Sequence, residues 1–109
     1  MNVKILSKQY LELFEKRDTT GLREMLSENV RLRDWDFNEH GINNVMSIFD
    51  KIYTVVETLE VHIVDVFCEG NKSSIESEIT INGKKILVVD LLEFNDDGLL
   101  EEIRAFKGN

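Results

Sequence analysis

The sequence predicts an α+β fold in which helices come first along the chain and an antiparallel sheet comes last. Before residue 55, apolar residues recur mostly at three- and four-residue steps, which is the period of an amphipathic helix. From Val61 onward they recur at every second residue, which is the period of a strand. Two turn sequences, Asn82-Gly83 and Asn95-Asp96-Asp97-Gly98, divide this second part into hairpins. Helices and strands that are segregated along a chain are typical of the α+β class.

Three helices are predicted. The first spans residues 3–17, and the second is a short helix for which Asp18, Thr19 and Thr20 are N-cap candidates. The third lies near residues 42–54. The residues predicted to face inward are Val3, Leu6, Tyr10, Leu13 and Phe14 in the first helix, Leu22, Met25 and Leu26 in the second, and Ile42, Val45, Phe49, Ile52 and Tyr53 in the third.

Five strands complete the predicted order, α-α-β-α-β-β-β-β. They cover residues 30–34, 61–68, 73–82, 86–94 and 99–106, and a loop from Trp35 to Gly41 follows the first of them. The stretch 86–94 is almost entirely apolar, which predicts a central strand covered on both faces. The length of 109 residues predicts a single domain over 1–109 with a core and one small cavity.

The charge balance argues against several classes of function. The chain has 21 Asp and Glu against 13 Lys and Arg, a formal charge of −8. Nucleic acids and anionic membrane surfaces both need a basic face, so we expect neither as a partner. No apolar run approaches the length of a membrane span, and the first residues lack the apolar core of a signal peptide. The lone Cys68 has no partner for an internal disulfide, so we expect a cytoplasmic protein.

Three polar residues fall on faces that the periodicity predicts to be apolar. Asp90 lies among Ile86, Val88, Leu92 and Phe94 on one face of its strand. An ionised carboxylate is costly there, so Asp90 is either paired or protonated with a raised pKa. A structural interpretation, an ion pair or a bond to a backbone N–H, is equally open.

Asp34 and Tyr10 are the other two. Asp34 ends the apolar face of Val30 and Leu32, where a loop-capping Asp is also common. Tyr10 lies on the inward stripe of the first helix, where a tyrosine usually belongs to the core and its hydroxyl reaches some partner.

Other polar and aromatic residues allow weaker interpretations. A metal site is conceivable at Asp34, Asp36, Glu39 and His40, although their spacing matches no known ligand pattern. Trp35 and Phe37, which flank Asp36, are typical of residues that cover a site or join the core.

With these residues in view, the chain resembles the SnoaL-like and ketosteroid-isomerase-like branch of the NTF2-like superfamily over nearly its full length. The resemblance is carried by Tyr10-Leu-Glu-Leu-Phe, Asp18-Thr-Thr-Gly-Leu, Asn29-Val-Arg-Leu-Arg-Asp34, Val89-Asp90-Leu-Leu-Glu-Phe and Ile103-Arg-Ala-Phe106. It implies an NTF2-like cone, in which three helices pack on a strongly bent antiparallel or mixed sheet that encloses an apolar pocket. It also implies a homodimer formed through the outer face of the sheet.

The resemblance further implies roles for residues. Asp34 matches the base that moves a proton between carbon atoms of the substrate, Tyr10 the oxyanion tyrosine, and Asp90 the protonated aspartic acid of the isomerases. The chemistry needs no cofactor and no metal. The isomerases usually place Pro after the base, whereas this chain has the bulky Trp35. The expected substrate-binding residues are Phe14, Trp35, Ile48, Val88, Ile103 and Ala105.

Three functional hypotheses follow. The first is a cofactor-free acid–base enzyme, an isomerase, cyclase or lyase, acting on a small apolar carbonyl compound. The second is a module that binds an apolar ligand in the pocket without turnover. The third is an interaction domain whose exposed sheet face pairs with another subunit, and this hypothesis predicts no cavity.

Overall fold

The computed structural model describes residues 1–108, which form three helices and six strands. The helices are α1 (Val3–Lys16), α2 (Thr19–Met25) and α3 (Ile42–Val55). The strands are β1 (Leu26–Arg33), β2 (Asn38–His40), β3 (Leu59–Glu69), β4 (Lys72–Ile81), β5 (Lys84–Phe94) and β6 (Leu100–Lys107).

All six strands belong to one curved, mixed sheet in the order β2-β1-β6-β5-β4-β3. Neighbouring strands are antiparallel except for β1 and β6, which pair in parallel. The register shifts within β3 between Ile63 and Asp65, and β-bulges of this kind strengthen the twist of a sheet. The predicted α+β class is confirmed, and β5 is an interior strand as predicted. The prediction that both faces of β5 are covered was wrong, because Leu87 and Val89 are 44% and 38% exposed on the outer face.

The predicted order lacked one element, because β2 lies within the segment expected to be a loop. A tight turn after Arg33 reverses the chain and is closed by the Asp34 backbone N–H, which donates to the Phe37 carbonyl at 2.9 Å. This turn lets Asn38–His40 pair antiparallel with Arg31–Arg33. A strand of three exposed residues has too short an alternation to be recognised from sequence.

The helix starts follow from local capping. The Asn2 side chain accepts a hydrogen bond from the Ile5 N–H at 3.0 Å at the start of α1. Asp18 caps α2 by accepting from the Gly21 N–H at 2.9 Å, as predicted for this residue. Arg17, between the two helices, adopts a left-handed conformation with φ of 59°, which ends α1.

The Asn82-Gly83 turn between β4 and β5 has positive φ at both residues, 50° and 83°. This is the pattern of a two-residue hairpin turn whose twist matches that of the flanking strands. The Asn82 side-chain oxygen also accepts from the N–H groups of Glu57 and Thr58 at 2.7 and 3.1 Å. The same residue therefore fixes both the hairpin and the connection that leads from α3 into β3.

The core lies between the helices and the concave face of the sheet. Helix α1 packs on β3 and β4, and α3 packs on β1. At one end of this contact the hydroxyls of Ser7 and Ser73 form a fully buried hydrogen bond of 2.7 Å between α1 and β4. Because each hydroxyl is the other's partner, the pair holds α1 at a defined position over the sheet.

We predict that Ser7→Ala lowers the free energy of unfolding by about 1–3 kcal/mol, because it leaves the buried Ser73 hydroxyl without a partner. The double variant Ser7→Ala/Ser73→Ala should recover part of this loss, since it removes both polar groups. Urea denaturation of the wild-type protein, the single variants Ser7→Ala and Ser73→Ala, and the double variant measures the difference. A double variant less stable than the sum of the two single losses would contradict the pairing.

Candidate functional site

A cavity of about 280 Å³ lies between the concave face of the sheet and the helices α1 and α3. Its wall is mostly apolar, and the sheet contributes Leu32, Ile79, Ile81, Ile86 and Val88 among others. The side chains of Tyr10, Asp34 and Asp90 all line this one cavity. Three residues that are distant in sequence are thus brought together by α1, the end of β1 and the middle of β5.

Asp90 lies on the interior strand β5, opposite Ile75 of β4 and Ala105 of β6. The residue is 6% exposed, and no hydrogen bond from another described residue offsets its burial. Burial raises the pKa of this carboxyl from 3.8 to about 7, and the negative charge of Asp34 contributes in the same direction. Near neutral pH, Asp90 is therefore a substantially protonated acid that can donate a hydrogen bond into the cavity.

Tyr10 reaches the cavity from α1, where its ring meets Phe49 of α3 edge to face with centroids 6.4 Å apart. Burial raises the pKa of its hydroxyl well above the usual value, and the charges of Asp90, Tyr53 and Asp34 add to the effect. The Tyr10 hydroxyl consequently stays protonated at physiological pH and acts as a second donor.

Asp34 follows the last residue of β1 and is partly exposed. Its Oδ1 accepts hydrogen bonds from the backbone N–H groups of Asp36 and Phe37 at 2.8 and 2.7 Å. The loop-capping interpretation of Asp34 is therefore confirmed, and the same turn places this carboxylate in the cavity wall. The other oxygen, Oδ2, forms no hydrogen bond with a residue of the described chain.

The predicted substrate-binding residues divide into two groups. Phe14, Trp35, Val88, Ile103 and Ala105 line the cavity, whereas Ile48 does not. Ile48 is 1% exposed and belongs to the core. The reason is helical geometry, because Ile48 is turned by about 100° around the axis of α3 from its neighbour Phe49, which does face the cavity.

The cavity wall also contains residues that the sequence reasoning did not propose for binding. Phe37, Ile52 and Val56 line it from the β1–β2 turn and from α3, and Ile79, Ile81 and Ile86 line it from the β4–β5 hairpin. The alternation of Ile79 and Ile81 and the three- to four-residue steps of Phe49, Ile52 and Val56 were signals available in the sequence.

Trp35 lines the cavity and is 42% exposed. The Lys107 ammonium lies 5.5 Å from the centre of the Trp35 ring, a cation–π distance that ties the β1–β2 turn to the end of β6. The Tyr53 hydroxyl donates to the Phe14 carbonyl at 2.7 Å and joins α3 to α1. The polar residues Lys51 and Asp36 also line the cavity, and both are exposed.

A second, larger depression of about 600 Å³ lies at the end of the sheet where β3 and β4 meet, and it opens on the outer face. Its wall includes Phe67, Glu69, Lys72, Leu91 and Arg104. None of the predicted site residues lines it, so the apolar cavity is the candidate site.

Residues 1–108 contain neither a cluster of metal ligands nor a membrane-spanning helix. No three His, Cys, Asp or Glu side chains in this range lie close enough together to hold a metal ion. No helix in the same range is long and apolar enough to cross a membrane.

Comparison with protein families gives a match to the SnoaL-like domain over residues 7–103. No curated protein sequence matches the chain.

Several solved structures share the fold. A candidate ketosteroid isomerase from Kribbella flavida superposes with a TM-score of 0.87 at 16% identity, covering 98% of this chain and 78% of its own. A candidate SnoaL-like polyketide cyclase from Shewanella denitrificans also gives 0.87 at 16% identity, covering 97% and 90%. An NTF2-like protein of unknown function from Cytophaga hutchinsonii gives 0.83 at 17% identity, covering 99% and 91%. At these identities the likeness establishes the NTF2-like fold alone.

We predict that the contribution of Asp90 to the free energy of unfolding falls as pH rises from about 4 to 7. In this range the folded state keeps the Asp90 proton while the unfolded state releases it, so each step upward in pH favours unfolding. The full effect above pH 7 is at most about 4 kcal/mol. Asp90→Asn has no such proton and should lose this part of the pH dependence, which urea denaturation at pH 4.5, 6 and 8 measures. Equal pH profiles for both proteins would contradict a buried, proton-retaining Asp90.

Proposed function

This chain belongs to the SnoaL-like domain family, and on that premise we propose that it is a cofactor-free acid–base enzyme that moves a proton on a small apolar carbonyl compound. The observation that carries the proposal is the presence of Tyr10, Asp34 and Asp90 in the wall of one apolar cavity. One carboxylate with a free oxygen and two protonated donors are the groups that proton abstraction next to a carbonyl requires.

Asp34 serves as the base in this proposal. The turn holds its Oδ1 through two backbone N–H groups, which orients the carboxylate and leaves Oδ2 to take a proton from the substrate carbon. Proton removal places negative charge on the carbonyl oxygen of the substrate. Tyr10 and the protonated Asp90 donate hydrogen bonds to that oxygen, and the apolar wall strengthens both bonds by excluding water.

The size of the cavity supports a small substrate. Its volume of about 280 Å³ lies just below the range of roughly 300–1,000 Å³ that is usual for pockets binding drug-sized ligands. Trp35 lines the cavity at the position where the isomerases usually have Pro. We therefore infer a compound with one or two rings, held by apolar contacts and oriented through one carbonyl group.

A non-catalytic ligand-binding role is the second candidate, and the hydrogen bonds of Asp34 favour it. Two backbone N–H donors use its Oδ1 to close the turn, so a structural role alone accounts for an Asp at this position. In this role Tyr10 and Asp90 bind the polar group of an apolar ligand, and Asp34 only shapes the turn.

A homodimer is part of the proposal, and the outer face of the sheet supports it. Leu87 and Val89 of β5 and Phe106 of β6 are 44%, 38% and 46% exposed on this face. Val89 and Phe106 are direct cross-strand neighbours, so they form a continuous apolar patch of the kind that marks protein interfaces. The cytoplasmic location stays a prediction from the sequence.

The catalytic role is tested by Asp34→Asn, which keeps an acceptor oxygen for the two N–H groups of the turn but cannot take a proton. The measurement is exchange of the α-hydrogens of small cyclic ketones in D₂O, followed by proton NMR. We expect the variant to lose at least about 100-fold in enzyme-dependent exchange.

Asp36→Asn is the matched control, because it neutralises an exposed carboxylate two residues away that also lines the cavity. It should retain near wild-type exchange. Ketone binding without exchange in the wild-type protein, or equal exchange in Asp34→Asn, would exclude Asp34 as the base and favour the binding role.

The dimer is tested by Val89→Lys, which places a charge in the apolar patch while leaving the folded subunit intact, since the side chain is partly exposed. We expect the wild-type protein to sediment as a dimer at micromolar concentration and Val89→Lys as a monomer. Ile5→Lys, at a residue 61% exposed on α1, is the control and should stay dimeric. A monomeric wild-type protein would contradict the proposed interface.

A further inference from the structure

Ser77 is a fully buried residue of β4 whose hydroxyl has no hydrogen-bond partner among residues 1–108. Its neighbours on β4, Ile75 and Ile79, are buried as well, and Ile79 lines the cavity. Buried polar groups in native proteins are usually hydrogen-bonded, so each exception asks for an explanation.

The register of β4 and β5 places Ser77 diagonally adjacent to Asp90. Ser77 lies opposite Val88, and Asp90 lies opposite Ile75, so both side chains are on the same, concave face of the sheet. Diagonal neighbours on one face are separated by roughly 7–8 Å between backbones and by less between Cβ atoms. The hydroxyl oxygen lies one bond and the carboxyl oxygen two bonds beyond Cβ, so the two groups meet at a hydrogen-bond distance only when both side chains point along this diagonal.

A second serine shows by contrast why Ser77 stands out. Ser73 lies opposite Leu92 and is thus on the other diagonal from Asp90, also buried. Its hydroxyl, however, is paired with Ser7 of α1 at 2.7 Å. Of the two serines diagonal to Asp90, Ser77 alone keeps its donor free.

We propose that Ser77 is a positioning residue whose hydroxyl donates a hydrogen bond to one oxygen of the Asp90 carboxyl. With one oxygen held on the β4 side, the protonated oxygen is directed into the cavity, where a ligand oxygen can accept from it. The direction of the bond follows from this geometry, because a carboxyl group that donates into the cavity offers Ser77 only its other oxygen, which is an acceptor. The part of the inference that concerns the ligand rests on the proposed function, whereas the contact between Ser77 and Asp90 does not.

The midpoint of an Asp90 titration depends on the charged and titratable groups that face this carboxyl. Tyr10 faces it from α1 and Asp34 from the end of β1, and Lys51 of α3 lines the same cavity at an exposed position. The neighbours on the adjoining strands, Ile75 and Ala105, carry no charge. Replacement of Ser77 leaves all these groups in place.

The test is a carbon-13 NMR titration of the Asp90 carboxyl in the wild-type protein and in Ser77→Ala, with Asp90→Asn to assign the signal. A donor to a carboxyl stabilises the ionised form more than the neutral form, so its loss makes Asp90 a weaker acid. We expect the acid dissociation constant of Asp90 to fall about five- to tenfold in Ser77→Ala. An unchanged constant overturns the proposal.

Two comparisons separate this contact from a space-filling role. A purely space-filling Ser77 would lose no hydrogen bond in Ser77→Ala, and it predicts an unchanged Asp90 titration and equal or higher stability. The double variant Ser7→Ala/Ser73→Ala removes two buried hydroxyls, one of them on the other diagonal, and should leave the Asp90 dissociation constant at its wild-type value. A change of the same size in this control would assign the effect to general repacking and overturn the proposal.

The binding of 4-nitrophenol distinguishes failure of this inference from failure of the proposed function. Its phenolate oxygen is a simple acceptor for Tyr10 and Asp90, and its absorbance reports ionisation. We expect Ser77→Ala to weaken binding at least about fivefold, since an unoriented donor binds an oxyanion less well. If the wild-type protein does not bind the phenol but Ser77→Ala still shifts the Asp90 titration, the contact stands and the function fails. If binding occurs but the titration is unchanged, the function stands and the role of Ser77 is excluded.

Discussion

The site depends on one constraint, which is that β5 carries a carboxyl group on a face that is otherwise apolar. Lys51, the cationic residue in the cavity wall, is exposed, and burial together with the charge of Asp34 governs the Asp90 carboxyl. An isolated carboxylate in such surroundings is so costly that the proton is retained instead, which is why the pKa rises to about 7. Ionisation of Asp90 in these surroundings costs stability, so the carboxyl keeps its proton. The protonated carboxyl can then donate a hydrogen bond near neutral pH.

The rest of the architecture maintains the surroundings of Asp90. The curved sheet and the two longer helices leave a cavity where a flat sheet would have packed closed, and the Ser7–Ser73 bond fixes α1 above it. The turn after β1 uses Asp34 to close itself and so brings a second carboxylate to the wall. The two acids differ because Asp90 is buried without hydrogen bonds, while Asp34 is partly exposed and accepts two. One cavity therefore holds two carboxyl groups in different environments.

Much of this arrangement was predictable because it follows from periodicity. Alternation along 86–94 put Asp90 on an apolar face, and the Asn82-Gly83 pair predicted its hairpin. Strand β2 was not predictable, because its three residues are exposed and depend on a turn closed by Asp34. Ile48 lies in the core rather than in the cavity wall, because it is turned by about 100° around the axis of α3 from Phe49. The sequence did not single out Ser77, because its proposed role depends on the cross-strand register with Val88 and on the buried hydroxyl without a partner among the described residues.

The central claim is that Asp34 and Asp90 share one water-poor cavity, and a titration of Asp90 by carbon-13 NMR tests it most directly. In the wild-type protein the midpoint should lie near 7, and in Asp34→Asn it should be clearly lower, because the neighbouring negative charge is gone while the burial remains. A wild-type midpoint near the ordinary value of 3.8, or the same raised midpoint in both proteins, would contradict the claim.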